Sequence, residues 1–184
     1  MSKMKVILIS GEAGAGKDTV AGFAKEILEE RGEGVLITHY ADLVKYICKN
    51  FLGWNGKKDK AGRELLQKVG TDVFRKRDPD KWVRFIAEVL EALPNTWDVV
   101  LIPDCRFPNE LNYLKERGFD TVHVRVDRPN LKSALTEEQK RHASETAMKG
   151  VIPDYVIVNN EAEGNDLSGL KESVKVLLKE CLGK

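Results

Sequence analysis

The stretch MKVILIS at residues 4–10 runs directly into GEAGAGKDTV at residues 11–20. The first piece is a continuous apolar run, the pattern of a strand buried on both faces. The second fits the phosphate-binding pattern G-x-x-x-x-G-K-[ST] from Gly11 to Lys17 and departs from it at Asp18. Residues 17–31 then place Val20, Phe23, Ala24, Ile27 and Leu28 on one helical face, and Gly32 stops the helix. Strand, glycine loop and helix in that order form the context that gives the motif meaning. Gly11, Gly14 and Gly16 let the backbone curl with its N–H groups inward, and the helix start adds the positive end of its dipole. With Ala13, Ala15, Lys17, Asp18 and Thr19 they are predicted to cradle a nucleotide's phosphates, Lys17 reaching the β- and γ-phosphates.

Asp18 stands where a Ser or Thr hydroxyl would hold Mg²⁺. A carboxylate there repels bare phosphate oxygens. It becomes favourable when Mg²⁺ sits between them, directly or through a water. Asp18 is therefore expected to help hold Mg²⁺; the simpler reading is a carboxylate at a helix N-terminus. Thr19, one place on, can donate its hydroxyl to an α-phosphate.

Composition bounds the rest. The chain has 184 residues, enough for one domain with a real core, and a formal net charge of +1. That balance argues against a general electrostatic grip on nucleic acid. Cys48, Cys105 and Cys181 are widely spaced with no C-x-x-C, which suits a reducing cytosol. The opening MSKMKVILIS does not read as a signal peptide, and no apolar run reaches the ~18 residues of a membrane span. A cytoplasmic protein without membrane or nucleic-acid partners is expected.

Beyond the first unit, strands are expected at 34–40, 97–102, 120–126 and 155–158. Helical stretches separate them: one from about 40, broken near Gly53–Gly56, resuming over 61–77 and 80–93, then 108–117 behind Pro108, a short one opened by Thr136, and 167–182. Strands alternating with helices imply parallel pairing through right-handed crossovers. The predicted fold is a three-layer α/β/α sandwich on a five-stranded parallel sheet. Ligands of such sheets bind beyond the carboxyl ends of the strands, so the loops at 11–17, 40–45, 103–107 and 127–145 should converge. The amphipathic helices leave room for a homodimer interface.

The GKDT variant, together with YADLVK (40–45), LLQKVGTDVFR (65–75) with Trp82, DCRFPNE (104–110), HASE (142–145) and DYVIVNN (154–160), resembles the bacteriophage-type deoxynucleoside monophosphate kinases. The blocks occur in that family's order through nearly the whole chain, and DCRFPNE and LLQ-x-x-G-T are the most specific. The resemblance implies a single P-loop kinase domain over 1–184, with an acceptor-binding insertion at about 40–93 and a lid at about 127–147. It implies transfer of the γ-phosphoryl of ATP, with Mg²⁺, to the phosphate of a deoxynucleoside monophosphate.

The residues support that reading by their chemistry. Asp104 ends an apolar strand, where a carboxylate can hold the hydration shell of Mg²⁺, and Arg106 points the same way. Cys105 is expected to be a packed residue. The segment 127–145, with Arg128, Lys132, Lys140, Arg141 and His142, reads as a cationic lid that excludes water. Arg128 is the first candidate for the transition-state cation, with Arg125 or Arg141 as substitutes; Lys17, Asp104 and Arg106 complete the catalytic set. Arg63, Gln67, Thr71 and Arg75 recur every four residues, one stripe on a continuous helix. Arg75 is assigned to the acceptor's phosphate and Gln67 to its base. Asp42 and Lys45 are placed beside the sugar. Arg106 and Glu145 are placed at the acceptor, and Trp82 stacks on the base or packs in the core. His39 and His123 are expected in strands as packed or capping residues, and the tail from Asn159 is assigned no chemistry.

Two other readings share the motif. One is a kinase for a different phosphorylated acceptor, of the dephospho-coenzyme A or phosphomevalonate type, and the 63–75 block weighs against it. The other is a nucleotide-driven switch or ATPase, which needs a water-positioning residue that the sequence does not offer.

Overall fold

The computed structural model describes residues 4–130, 135–160 and 167–183. Its centre is β1 (Lys5–Ser10), the apolar run of the opening stretch, followed across the glycine loop by α1 (Lys17–Glu30). β1 pairs in parallel with β3 (Val99–Ile102) on one side and β4 (Asp120–Asp127) on the other. β2 (Val35–Ile37) and β5 (Tyr155–Val158) complete a five-stranded parallel sheet in the order β2-β3-β1-β4-β5.

Alternation along β1 explains why the run is apolar throughout. Ile7 and Ile9 pack with Leu101 and Val124 against α1 and α8 (Ser168–Leu182), meeting Val20, Leu28, Val174 and Leu178. Val6 and Leu8 face the other way with Val100 and Ile102. They meet α2 (Ala41–Phe51), α4 (Lys81–Ala92) and α5 (Pro108–Glu116) through Val44, Val83, Leu90 and Leu114. Each such fully buried side chain contributes about 1.5–3 kcal/mol. Leu8 lies level with Ile102 and with His123, so the carboxyl ends of the three central strands finish on one edge.

Three local departures from expectation matter for the site. β2 ends at Ile37 rather than at 40, and the chain turns outward, which takes His39 out of the strand. The stretch expected as one helix over 61–77 is α3 (Lys60–Gln67) running into a π-helical turn, Lys68–Arg75. The short helix opened by Thr136 is two pieces, α6 (Glu137–Arg141) and α7 (Ala143–Thr146), with His142 between them. Its predicted capping box is present: Gln139 N donates to Thr136 Oγ1 at 3.2 Å and Thr136 N to Gln139 Oε1 at 3.2 Å. Among the described residues no helix is long and apolar enough to cross a membrane.

α3 starts on a tight turn. Asp59 caps it by accepting from Gly62 N at 2.9 Å, and Trp54 Nε1 donates to Lys57 O at 3.0 Å. A Cβ on Gly62 would lie 2.0 Å from that same Lys57 oxygen. Gly62→Ala should therefore destabilise the protein by about 1–3 kcal/mol, read as a lower Tm, because a backbone atom must give way.

Candidate functional site

The glycine loop leaves β1 with Gly11, Gly14 and Gly16 at φ of 141°, 88° and 101°, a region that side chains rarely enter. A Cβ on Gly11 would meet Val126 O at 2.3 Å, and one on Gly16 would meet Asn159 Nδ2 at 2.7 Å. Ala13 lines the neighbouring cavity and Ala15 is buried beneath the loop. Lys17 opens α1 and is 8% exposed; its Nζ donates to Gly11 O and Glu12 O, both at 2.8 Å. Burial first, and the Arg106 charge second, lower its pKa to about 8. Thr19 sits in the first turn of α1. Arg128 reaches the loop from the end of β4, with Nη1 donating to Gly14 O at 3.1 Å.

Asp18 sits in the first turn of α1. Its exposed carboxylate meets His39 Nε2 at 2.9 Å. That hydrogen bond is the chief reason its pKa falls below the usual carboxylate range, and it raises the pKa of His39 in return. His39 N donates to Asp42 Oδ2 at 3.2 Å, and Lys45 Nζ donates to Asp42 Oδ1 at 2.8 Å. Asp42 is thus an exposed bridging residue outside the cavity lining, whereas Lys45 lines the cavity. Among the described residues no group of three or more His, Cys, Asp or Glu is placed to cage a metal.

The cavity opens beside the loop, at Ala13, and runs between α2, α3, the π-helical turn and the β3–α5 loop. Arg63, Gln67, Thr71 and Arg75 all line it, as their spacing predicts. The wider π-turn keeps residues four apart on one face where an α-helix would drift. Gly70 lets α2 approach: a Cβ there would lie 3.4 Å from the Val44 methyls. Trp82 forms part of the wall rather than a free stacking platform. It is 3% exposed, its ring lies 5.4 Å from Phe74, and its Nε1 donates to Gly70 O at 2.9 Å.

The stretch DCRFPNE ties three parts of the chain together. Asp104 Oδ1 and Oδ2 accept from Tyr40 N and Ala41 N, each at 2.9 Å, so this carboxylate holds the start of α2. Arg106 Nη1 donates to Ser144 O at 3.2 Å and pairs with Glu145, joining the β3–α5 loop to α7. Glu110, 1% exposed, accepts from Arg106 N at 2.7 Å and Phe107 N at 3.0 Å and pairs with Arg75. Burial pushes Glu110 up to about 7 against the pull of Arg75. Arg75 itself is stacked 3.9 Å above the Phe107 ring and donates to Pro79 O at 3.0 Å. Three of its five N–H donors are thus engaged by protein. Cys105 is buried and packed, as expected. Arg125 is paired with Asp127 at 2.9 Å, and Lys132 lies outside the described residues.

The sequence matches a known group of proteins. A family model described as deoxynucleotide monophosphate kinase matches residues 28–172. The chain belongs to the deoxynucleotide monophosphate kinase family. A putative deoxynucleotide monophosphate kinase of Acanthamoeba polyphaga mimivirus is 27% identical over 190 residues, covering 86% of this chain and 90% of that one. The deoxynucleotide monophosphate kinase of Enterobacteria phage T4 is 30% identical over 117 residues, covering 62% of this chain and 46% of the phage protein. Among solved structures, the Mycobacterium tuberculosis APS kinase CysC bound to AMPPNP and APS aligns over 100% of both chains with a TM-score of 0.58 at 15% identity. Shikimate kinase from Acinetobacter baumannii aligns over 99% of this chain and 94% of its own with a TM-score of 0.50 at 15% identity. These two share the fold. The kinase therefore moves the γ-phosphoryl of ATP to a deoxynucleoside monophosphate.

Within the kinase, sequence reasoning passed over two contacts at the phosphate loop. His39 is one. The other is Asn159, assigned no chemistry, which is 4% exposed and donates Nδ2 to Ala15 O at 2.9 Å. Its position directly after YVIV was the available signal, since a residue ending β5 arrives at the same sheet edge as the loop. Asn159→Ala should raise the KM for ATP about tenfold, the loss of one buried hydrogen bond and its unpaired carbonyl. The acceptor KM should stay within about twofold, since no acceptor-side contact changes.

Proposed function

We propose that the kinase binds ATP on residues 11–19 and its deoxynucleoside monophosphate in the adjoining cavity, the two phosphates meeting above Ala13 and Lys17. One observation carries this: the Arg63–Gln67–Thr71–Arg75 stripe lines a cavity that opens on the phosphate loop. On this reading residues 40–93 form the acceptor-binding insertion and about 127–147 the lid of a single domain. Gln67 reads the base and Lys45 and Arg63 contact the sugar and phosphate side. Lys58, which also lines the cavity, is added to these cations.

The acceptor's phosphate oxygen is already nucleophilic near neutral pH, so the protein's task is alignment and charge neutralisation. Lys17 exchanges its loop carbonyls for β- and γ-oxygens. Arg128 and Arg106 approach the transferring group from β4 and from the β3–α5 loop. Glu145, now paired with Arg106, is displaced or shared when an acceptor phosphate arrives.

The donor set fits Mg²⁺. That ion keeps several waters and takes one or two carboxylates plus phosphate oxygens rather than an all-protein cage. Asp18, at the end of the loop, would help hold the ion directly or through a water, and Asp104, with both oxygens engaged at α2, would hold its hydration shell. When bound, Mg²⁺ neutralises charge between the β- and γ-phosphates.

A coupled ADP-release assay with ATP and Mg²⁺ tests the reading against dAMP, dGMP, dCMP, dTMP, the ribonucleotides and dephospho-coenzyme A. Turnover with at least one deoxynucleotide, abolished by chelation and with the acceptor KM raised by Gln67→Ala, is expected. An unchanged acceptor KM in Gln67→Ala and Arg63→Ala together would remove the cavity as the acceptor site.

Lys17 also sets a pH dependence. Its cation is lost as pH rises through about 8, so kcat/KM for ATP should fall above that pH. Phosphate raises the Lys17 pKa once bound, so the same limb in kcat should lie at higher pH.

A further inference from the structure

We infer that Glu110 is the positioning residue of the acceptor site, orienting Arg75 through its side chain and Arg106 through its backbone; this rests on the reading of the cavity as the acceptor pocket. Nothing in the P-loop chemistry requires a carboxylate here. Glu110 sits in the first turn of α5, where its Oε2 accepts from Arg106 N at 2.7 Å and from Phe107 N at 3.0 Å. Those two bonds would be a sufficient helix cap. Its Oε1 does something else: it pairs with Arg75, a residue from the far wall of the cavity. Arg75 is 10% exposed along its side chain and Glu110 1%, so the pair is withdrawn from solvent while both residues still line the cavity.

The guanidinium is held in a complete frame. One face lies 3.9 Å above the Phe107 ring. Nη1 donates to Pro79 O at 3.0 Å and to Asn109 Oδ1 at 3.3 Å, and Nη2 donates to Glu110. Asn109 is fixed in turn by donating to Pro79 O at 3.0 Å and Asp80 Oδ1 at 2.7 Å. An arginine has five N–H donors in a rigid fork. Three are therefore spent on orientation, and the Nε hydrogen and one Nη2 hydrogen remain for a ligand oxygen. A guanidinium with its rotamer already set loses little freedom when an acceptor phosphate docks, which is preorganisation rather than added contact. The same carboxylate fixes the backbone that carries Arg106, so one residue sets the direction of both arginines lining the pocket.

Glu110→Gln separates this role from plain stability. The amide keeps an oxygen for the Arg106 and Phe107 N–H groups and turns an NH₂ group against Arg75. The KM for the deoxynucleoside monophosphate should rise about tenfold or more, the loss of a charge-assisted hydrogen bond that sets the Arg75 geometry. The KM for ATP should stay within about twofold, because the phosphate loop is untouched. The double variant Glu110→Gln with Arg75→Gln restores a neutral hydrogen-bonded pair, so it should recover Tm and leave the acceptor KM raised.

Three results would overturn the inference: an acceptor KM unchanged in Glu110→Gln, equal changes in both KM values, or an acceptor KM restored by the double variant. If Glu110→Gln does not fold, Arg75→Lys carries the same comparison, since it keeps the charge and loses the fork. Gln67→Ala measured alongside keeps the two readings apart. A raised acceptor KM in Gln67→Ala with none in Glu110→Gln overturns the positioning role alone. No change in either overturns the acceptor pocket itself.

Discussion

Everything in this molecule hangs on β1 having a parallel neighbour on each side. The chain leaves β1 toward β2 on one side of the sheet and leaves β4 toward β5 on the other, and the crevice this opens at the end of β1 is where a parallel sheet takes its ligand. The glycine loop, the DCRFPNE stretch and Arg128 all emerge at that edge. The packing beneath is ordinary, with both faces of β1 covered by apolar side chains. That ordinary core is what holds the loops to within hydrogen-bonding distance of one another, which phosphoryl transfer requires more than any special nucleophile.

The second organising feature is electrostatic. Seven residues, Asp104 to Glu110, hold the start of α2 through Asp104, α7 through Arg106 and the π-helical turn through Glu110 and Asn109. Breaking a buried ion pair by removing one partner typically costs about 3–5 kcal/mol, because the other charge is left without compensation. An arrangement in which one short loop positions the cavity wall, α7 and a helix start makes the geometry of the site depend on a few desolvated groups.

Asp18 gains a second meaning in the folded protein. Its charge looks misplaced beside phosphates until His39 is seen at 2.9 Å from its carboxylate. From there contacts run through Asp42 to Lys45 at the cavity. A Ser or Thr hydroxyl would not reach outward in this way with a full charge. The carboxylate serves the loop after the second strand.

The period of the apolar residues was enough to read the strands, the helices and the three-layer sandwich, because burial on both faces demands continuous apolar runs and one-sided burial demands a helical stripe. The glycine loop was legible for a related reason: positive φ needs glycine, and the loop's chemistry is local. The Arg63–Arg75 stripe was also read correctly, although the π-turn that keeps it in line was not. What the sequence could not carry were partnerships between residues far apart in the chain. Asp104 was read from its strand end alone, and its carboxylate also holds the start of α2. Arg75 was assigned from its spacing alone, and it is also framed by Glu110 and Phe107. Asn159 was read as inert, and it pins Ala15 across 144 positions of sequence. Local pattern follows from backbone geometry and the hydrophobic effect, which act over a few residues. Which charge meets which donor is decided by the strand order, and strand order is settled only when the whole chain packs.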